Sequence, residues 1–401
     1  MLADLDRLMG EHDLAAILVP LHELMHPGFR WLARGARVTR GWAIRGNGRT
    51  ILVHDPMERD EAASTGLALL STVELGQSEI LSREADAAVA MAELVERMLE
   101  AAGVRGTIGI EGPLPFPLYL RVTEALERRG GRVWRGEEDL ISRARKRKDA
   151  REIAAVASVG RRTEQVVTGV RSMLRDASIR DGLLEIGGDP LTIGSLKDFI
   201  RREIDRLGMI EDHETIVSQG RDAGVPHSRG DRGAVVRASS PLVIDIFPAD
   251  RETGYFFDLT RTFCVGDVPA KLRELHAQVL EAFELARDAM RGGELAALSQ
   301  ARVCDYFEAR AHPTGRSHPG TTAGYVHGLG HGVGLEVHER PSFSLAKGNR
   351  DLIDPGDVLT IEPGLYYPEE ELGVRIEDTL SIDDEGRAVS FCSSARGLEI
   401  A

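Results

Sequence analysis

The first third of the chain alternates between helical and strand-like spacing of its apolar residues. Helical spacing covers residues 2–12 and an alanine-rich segment, 84–102. Short apolar runs of the kind that form buried strands lie at residues 15–20, 49–54 and 106–111. Alternating strand and helix signals of this kind predict a small α/β domain whose sheet is mainly buried.

A second pattern begins after the basic run Arg-Ala-Arg-Lys-Arg-Lys at positions 143–148. Asp149 and Glu152 have the spacing of a capping box, and apolar positions at helical spacing follow as far as Leu174. Another helix is predicted after Pro269, ending at the glycines 292–293. We interpret the basic run as a solvated linker and expect two domains, 1–145 and 146–401.

Four acidic residues stand inside or next to apolar runs of the second part. Asp245 lies in the run 241–247 and Asp258 opens the run 258–265, with turn-forming residues between them, so the two runs predict a hairpin. Glu362 follows the run 358–361, and Glu377 lies in the middle of 373–382. These strands, read with the helices around them, predict an α+β domain with helices on one side of an antiparallel sheet.

A carboxylate in a buried strand is costly unless its charge is compensated. A salt bridge is a sufficient explanation for any one of the four acids. Four together, joined by His331 in a glycine-rich stretch, are better explained by cations. Carboxylate oxygens with one imidazole suit Mn, Co, Fe or Zn in an open site. Two such ions sharing carboxylates activate water and polarise a carbonyl, which is hydrolytic chemistry.

Glycine occupies every second position from 328 to 334, between His327 and His338. Such spacing weakens a strand and indicates close approach of the backbone to another group, with a flexible loop as the alternative. Together with His227 and His331, these histidines form a set of imidazoles that can bind a carboxylate, donate to an oxyanion or move protons near a metal site.

Composition narrows the class of protein further. A chain of 401 residues with 42% apolar and 28% charged residues is typical of an ordinary globular protein with two cores. The net charge of −14 argues against a nucleic-acid partner. Three widely spaced cysteines favour a reducing compartment, and neither a signal sequence nor a run of ~20 apolar residues is present. We expect a cytoplasmic protein with no membrane partner.

From about residue 148 to 390 the chain resembles the pita-bread metallopeptidases, which include Xaa-Pro aminopeptidases, Xaa-Pro dipeptidases and methionine aminopeptidases. The motifs that carry the resemblance are Asp245 with Asp258, Gly-His-Gly-Val-Gly at 330–334, Val-His-Glu-Arg-Pro at 337–341, Glu-Pro-Gly at 362–364 and Arg-Ile-Glu at 375–377. The resemblance implies a C-terminal pita-bread fold preceded by a smaller α/β domain of the creatinase type. It also implies a homodimer that hydrolyses the peptide bond preceding proline, and we favour dipeptides as substrates.

Roles follow from the same resemblance. Two divalent ions, with Mn favoured and Co, Zn or Fe as alternatives, would be held by Asp245, Asp258, His331, Glu362 and Glu377. Asp258 and Glu377 would contact both ions, and Glu362 would also act as the acid/base. His227 and His338 would contact the substrate and stabilise the tetrahedral intermediate. The remaining substrate-binding candidates are His327, Arg340 and Arg375, of which Arg375 would also orient a ligand carboxylate.

The chain departs from the family pattern at two places. Asp258 lies thirteen residues after Asp245, where familiar members have eleven, although two extra residues keep both side chains on one strand face. A tyrosine that several members carry between these aspartates has no clear counterpart. Ser342 stands where some dipeptidases place an arginine, with Arg340 just before the proline. An aminopeptidase acting on longer Xaa-Pro peptides and a lyase acting on a small substrate therefore stay as alternatives.

Overall fold

The structure is a computed structural model that describes residues 1–22, 26–136 and 139–400. It divides into two compact units, Met1–Arg145 and Lys146–Ala401. Among the described residues, no helix combines the length and the apolar character needed to cross a membrane.

The first unit is built on a six-stranded mixed sheet with the order β4-β3-β2-β1-β5-β6. Its strands are β1 (Leu14–His22), β2 (Arg40–Gly46), β3 (Arg49–His54), β4 (Ala68–Ser71), β5 (Thr107–Ile110) and β6 (Arg132–Val133). The contacts β1–β2 and β2–β3 are antiparallel, whereas β1–β5, β3–β4 and β5–β6 are parallel.

Helices cover both faces of this sheet, since neighbouring residues of β1 enter different cores. Ala16 and Leu18 belong to one apolar cluster, and Ile17 and Val19 belong to the other. The helices of the unit are α1 (Leu2–Glu11), α2 (Pro27–Leu32), α3 (Arg59–Ser64), α4 (Gln77–Arg83), α5 (Ala87–Ala102), α6 (Phe116–Arg128) and α7 (Leu140–Arg145). Burial on both faces explains why its strands read as continuous apolar runs.

Four long helices belong to the second unit: α8 (Ala150–Arg175), α9 (Ile193–Arg206), α10 (Ala270–Ala289) and α11 (Ala296–Glu308). The predicted capping box is present at the start of α8, where Asp149 accepts from the amide of Glu152 and the Glu152 side chain accepts from that of Asp149. The helix α10 begins directly after Pro269, as predicted.

Short strands, mostly antiparallel, fill the rest of the second unit. They form sheets with the orders β11-β12-β14-β22, β16-β15-β17-β20-β21, β7-β8-β9, β10-β13 and β18-β19. Their bounds are β7 (Ser178–Arg180), β8 (Leu183–Ile186), β9 (Asp189–Pro190), β10 (Met209–Ile210), β11 (Ile216–Gln219), β12 (Leu242–Ile246), β13 (Ala249–Asp250), β14 (Leu259–Val265), β15 (His331–Gly332), β16 (Glu339–Ser342), β17 (Val358–Ile361), β18 (Gly364–Tyr367), β19 (Leu372–Arg375), β20 (Asp378–Ile382), β21 (Ala388–Ser390) and β22 (Glu399–Ile400).

Two apolar clusters hold these layers together. Residues of α8 and α9 pack with those of β12 and β14 in one cluster, while α10 and α11 pack with β17 and β20 in the other. The strands with the candidate ligands therefore contribute to both clusters.

The interpretation of the basic run 143–148 as a solvated linker is wrong. Lys146 is buried and its ammonium group lies 2.5 Å from Asp354 and 2.9 Å from Asp357. Lys148 is buried as well, against Glu339. Acids that are remote in sequence compensate these charges, so the density of cations alone did not indicate exposure.

Candidate metal centre

The register of two strands places the first pair of acids on one face. Asp245 in β12 pairs with Thr260 in β14, and Asp258 precedes Thr260 by two residues. Side chains two residues apart on a strand point the same way, so Asp245, Thr260 and Asp258 share a face. The thirteen-residue separation thus keeps both carboxylates on one side of the sheet.

The other candidate ligands come from the second sheet. Glu362 follows the last residue of β17, and β17 pairs with β20 so that Ile361 lies opposite Asp378. His331 opens β15, the neighbour of β17 on its other side. Glu377, predicted in the middle of a strand, instead lies at the break between β19 and β20. Its amide donates to the carbonyl of Thr260 on the first sheet, 3.1 Å away.

These residues converge in space. One ligand atom each from Asp258, His331 and Glu377 lie within 4.8 Å of one another. The His331 Nε2 atom is 3.7 Å from Asp258 Oδ2 and 3.6 Å from Glu362 Oε1. Its Nδ1 atom lies 3.1 Å from the Gly332 carbonyl oxygen, to which it donates in the tautomer that this contact assigns. The Nε2 lone pair is then directed at the carboxylates, the orientation that a metal ligand requires.

We call Asp245, Asp258, Glu362 and Glu377 the carboxylate cluster. Arg375 donates to Asp245 Oδ2 at 2.5 Å, and Thr260 donates to Glu377 Oε2 at 2.7 Å. The opposite oxygens, Asp245 Oδ1 and Glu377 Oε1, are buried and have no hydrogen-bond partner among the described residues, and the same holds for Asp258 Oδ1. Buried carboxylate oxygens left in this way are costly, and divalent cations are the partners that suit them. The donor set therefore fits metal ions.

The pKa values of three of the acids and of His331 agree with this fit. Burial, followed by the charges of the neighbouring acids, raises the pKa of Asp258 and of Glu377 well above their usual range. Burial also raises the pKa of Glu362 to about 8, although Arg375 opposes it. Burial and then His338 lower the pKa of His331 to about 3, so its imidazole is neutral at pH 7. Without cations these acids hold protons that bound ions would displace.

One prediction follows for the metal-free protein. Because the folded-state pKa values of Asp258, Glu362 and Glu377 are raised, the folded protein binds more protons than the unfolded chain between about pH 4.5 and about pH 8. The contribution of the cluster to the free energy of unfolding is therefore fully present below this window and is lost as the pH rises through it. Thermal unfolding after chelation should show a Tm difference between metal-loaded and metal-free protein that grows with pH. A difference that shrinks over this window would contradict the burial of the cluster.

A buried hydrogen-bond network lies behind Asp245. Besides Asp245, Arg375 donates to the Tyr366 hydroxyl at 3.0 Å, the Pro226 carbonyl at 3.1 Å and Thr260 Oγ1 at 3.2 Å. The Arg375 side chain is only 3% exposed. These contacts are all internal, so they favour the orienting role for Arg375 over direct substrate binding.

The histidines predicted to contact substrate lie beside the cluster. The His338 and His331 rings are 4.3 Å apart at an interplanar angle of 65°, and both His227 and His338 are exposed. Neighbouring groups still withdraw part of the His338 ring from water, and this partial desolvation, followed by the charge of His227, lowers the pKa of His338. The pKa of His327 is lowered to about 3, mainly by burial, then by the charge of Arg375 and to a smaller extent by that of His227. The charge of His227 therefore acts on both other imidazoles.

Arg340 lies on β16 two residues after His338, and its side chain is about half exposed. It forms an ion pair with Asp351, whose other oxygen accepts from the Ser342 amide at 2.8 Å. A substrate carboxylate would have to compete with Asp351 for this guanidinium.

Sequence reasoning missed several residues that hold the site in place. Thr260 contacts both Glu377 and Arg375, and its position two residues after Asp258 was a signal that could have revealed it. The Tyr366 hydroxyl lies 2.8 Å from His327 Nε2. Gln300 of α11 accepts from the Leu329 amide at 2.5 Å. No pattern indicated Gln300, because it approaches the glycine-rich segment from a distant helix.

The glycines of that segment have the close contacts that were predicted, with one exception. A Cβ atom at Gly330 would lie 2.1 Å from the Thr360 carbonyl oxygen, and one at Gly332 would lie 1.9 Å from that of Arg340. At Gly334 it would meet Glu339, whereas at Gly328 nothing lies within 4 Å. Backbone atoms therefore close two of the four alternating positions to any side chain, and the Glu339 carboxylate occupies the space at a third.

Comparison with known proteins links this geometry to a family. The family model described as metallopeptidase family M24 matches residues 154–384. An Xaa-Pro dipeptidase from Pyrococcus furiosus is 28% identical over 289 residues, which cover 70% of this chain and 72% of that protein.

Solved structures agree over nearly the whole length. The Xaa-Pro dipeptidase from Bacillus anthracis superposes with a TM-score of 0.77 at 22% identity and covers 99% of both chains. The X-Pro aminopeptidase from Thermotoga maritima gives 0.74 at 22% identity, with 98% of this chain and 97% of that chain covered. At such identities the likeness concerns the fold, and it confirms the predicted pita-bread fold preceded by a smaller α/β domain.

Proposed function

The chain belongs to metallopeptidase family M24, and we propose that it hydrolyses the peptide bond preceding proline, with Xaa-Pro dipeptides as the favoured substrates. The observation that carries the proposal is the carboxylate cluster, in which three buried oxygens have no hydrogen-bond partner among the described residues, with His331 3.6 Å from Glu362 and the His338 ring beside that of His331. The Xaa-Pro specificity is supported by the alignment with the Pyrococcus furiosus dipeptidase.

The family implies divalent metal ions, and the candidate ligands are Asp245, Asp258, His331, Glu362 and Glu377. We propose two ions, with manganese favoured. Bound there, they would supply Lewis acidity and neutralise charge that develops on the substrate. Arg375 would hold the Asp245 carboxylate and Thr260 that of Glu377, each by one oxygen, so that the other oxygen faces the ions.

The remaining chemistry belongs to side chains of the chain itself. The Glu362 carboxylate would accept a proton from the attacking water and return it to the prolyl nitrogen as the C–N bond breaks. His227 and His338 would donate hydrogen bonds to the oxygen of the tetrahedral intermediate. The expected homodimer and cytoplasmic location stay predictions.

The preference for dipeptides rests on Arg340. A dipeptide presents its free carboxylate one residue past the scissile bond, so a dipeptidase needs a cation there. Arg340 lies two residues after His338, and its half-exposed guanidinium is held by Asp351. We propose that this guanidinium binds the substrate carboxylate.

The experiment is a turnover assay of the metal-reconstituted protein on matched Xaa-Pro dipeptides and Xaa-Pro-Xaa tripeptides. We expect a higher kcat/KM on the dipeptides, and we expect Arg340→Ala to raise KM for dipeptides about tenfold, as the loss of one charge-assisted contact does. KM for tripeptides should not change. Arg387→Ala removes another exposed, ion-paired arginine and serves as the control.

The aminopeptidase alternative is favoured by the pairing of Arg340 with Asp351 and by Ser342 at the place of the dipeptidase arginine. An equal or better kcat/KM on tripeptides would decide for it. If the metal-loaded protein hydrolyses neither the dipeptides nor the tripeptides, the result favours the lyase alternative.

A further inference from the structure

A buried ion pair joins the start of the second unit to the segment that carries the active-site histidines. Lys148 Nζ lies 2.9 Å from Glu339 Oε2, with side-chain exposures of 1% and 3%. Lys148 Nζ also donates to the Lys146 carbonyl at 3.2 Å. Ionic groups removed from water to this extent are stable only with well-placed partners, so the pair holds its two segments in a fixed arrangement.

On one side, the pair reaches into the turn between β15 and β16, residues 333–338. Glu339 lies opposite Gly332 in the register of these strands, and its Oε1 atom accepts from the Glu336 amide at 3.1 Å. A Cβ atom at Gly334 would lie 2.5 Å from Glu339 Oε2. The turn therefore wraps around the Glu339 carboxylate, and glycine at 334 leaves room for it.

On the other side, Lys148 is fixed to the base of a strand that leads to the carboxylate cluster. Its amide donates to the Gly356 carbonyl at 2.8 Å, and Arg147 forms a β-bridge with Asp357, the residue before β17. The strand β17 ends next to Glu362. The backbone that carries the Lys148 ammonium group is therefore hydrogen-bonded to the segment directly before β17, the strand that ends next to Glu362.

The position of His338 depends on this arrangement. His338 is the last residue of this turn and is bonded directly to Glu339, so the contact of Glu339 with Lys148 also fixes the backbone from which the His338 side chain projects. His338 is exposed there and its ring packs at 4.3 Å against His331. His331 in turn precedes Gly332, the cross-strand partner of Glu339.

We propose that Lys148 and Glu339 are positioning residues, which act on catalysis through the placement of His338 without touching the substrate. The inference rests on the proposed function, in which His338 donates to the tetrahedral intermediate. It assigns a role to part of the basic run, namely to hold the histidine turn at the distance from Glu362 that the reaction needs.

The test compares Lys148→Met, Glu339→Gln and the double variant in the full-length, metal-reconstituted protein. Each single variant should lower kcat by about 10–10², the effect of a displaced catalytic group, with KM within about threefold of wild type. The double variant should resemble the more impaired single variant, because either change removes the same constraint. Lys148→Arg keeps the charge and should retain more of kcat than Lys148→Met.

A matched control separates positioning from general destabilisation. Arg162→Met removes another largely buried ion pair of the same unit, Arg162 with Asp250 at 2.6 Å, and should leave kcat unchanged. Glu339→Gln keeps the volume of the side chain and remains informative if Lys148→Met does not fold. The proposal would be overturned if the folded single variants kept the wild-type kcat. It would also be overturned if the loss of kcat in the double variant equalled the product of the two single losses, or if Arg162→Met lost as much kcat as the single variants.

A spectroscopic measurement tests the pair without turnover. In protein labelled at histidine and loaded with zinc alone, the ring signals of His331 and His338 should shift in Lys148→Met and Glu339→Gln but not in Arg162→Met. Unchanged ring signals would overturn the positioning role. If wild type hydrolyses no Xaa-Pro peptide, the proposed function fails, and these spectra still decide whether the pair positions the histidines.

Discussion

Replacing Glu377 by alanine should remove both hydrolytic activity and bound metal. Thr260 and the backbone contact between the two sheets hold Glu377 so that its Oε1 atom is buried and has no hydrogen-bond partner among the described residues. Its loss takes away a carboxylate that is proposed to contact both ions, so the remaining acids neutralise them poorly. Activity should fall below detection, and elemental analysis should find far fewer than two metal equivalents per chain.

The stability of the Glu377 variants relative to wild type gives a second measurement. It should be lower in the metal-loaded protein, and for Glu377→Gln it should be equal or higher in the metal-free protein. Metal-loaded wild type gains stability by ligand binding, about 2.7 kcal/mol at a free concentration of 100 Kd, and the variant should lose this gain. Glu377→Gln, which keeps the shape, should instead be at least as stable as wild type after chelation at pH 8, since one of the repelling acids is gone. Glu369→Gln, at an exposed ion pair, is the control. Two full metal equivalents in an active Glu377 variant would refute the ligand assignment.

Alanine at His338 or His227 should lower kcat by about 10²–10³ while the metal content stays intact. Both residues are exposed beside the cluster, and the His338 ring packs against His331 from outside the cluster. Partial desolvation, followed by the charge of His227, lowers the pKa of His338, so at pH 7 it would act as a neutral N–H donor to the oxygen of the intermediate. Steady-state kinetics with metal analysis on the same samples measure both quantities.

His318→Ala, at an exposed histidine of the second unit, is the matched control for these two variants and should behave as wild type. Loss of metal in either His227→Ala or His338→Ala would make that residue a ligand. A wild-type kcat with both variants would remove them from the proposed mechanism.

The helices and strands of this chain were predictable because their signals are local. The helix predicted for 2–12 is Leu2–Glu11, and that predicted for 84–102 is Ala87–Ala102. The capping box of Asp149 and Glu152 depends on groups only three residues apart, so the sequence shows it directly. Strand parity is local too, and it correctly placed Asp245 and Asp258 on one face.

Partners that are remote in sequence were not predictable in the same way. Lys148 contacts Glu339, which lies 191 residues later in the sequence, and Thr260 contacts Glu377, which lies 117 residues later. A lysine in a basic run is predicted to be exposed unless an acid from a distant part of the chain compensates its charge. The sequence does not show which acid does so. Arg375 is a similar case, since its buried contacts assign it to Asp245 and Tyr366.

The sequence by itself therefore determined three things: the kinds of donor atoms, the strand faces from which they project and the family to which the chain belongs. Tertiary structure alone decided which oxygens of the carboxylate cluster lack a hydrogen-bond partner in the described part of the chain, which charges are compensated and which pKa values are raised. The physical reason is that burial and Coulomb energies depend on distances through the folded molecule, which separation along the chain does not specify.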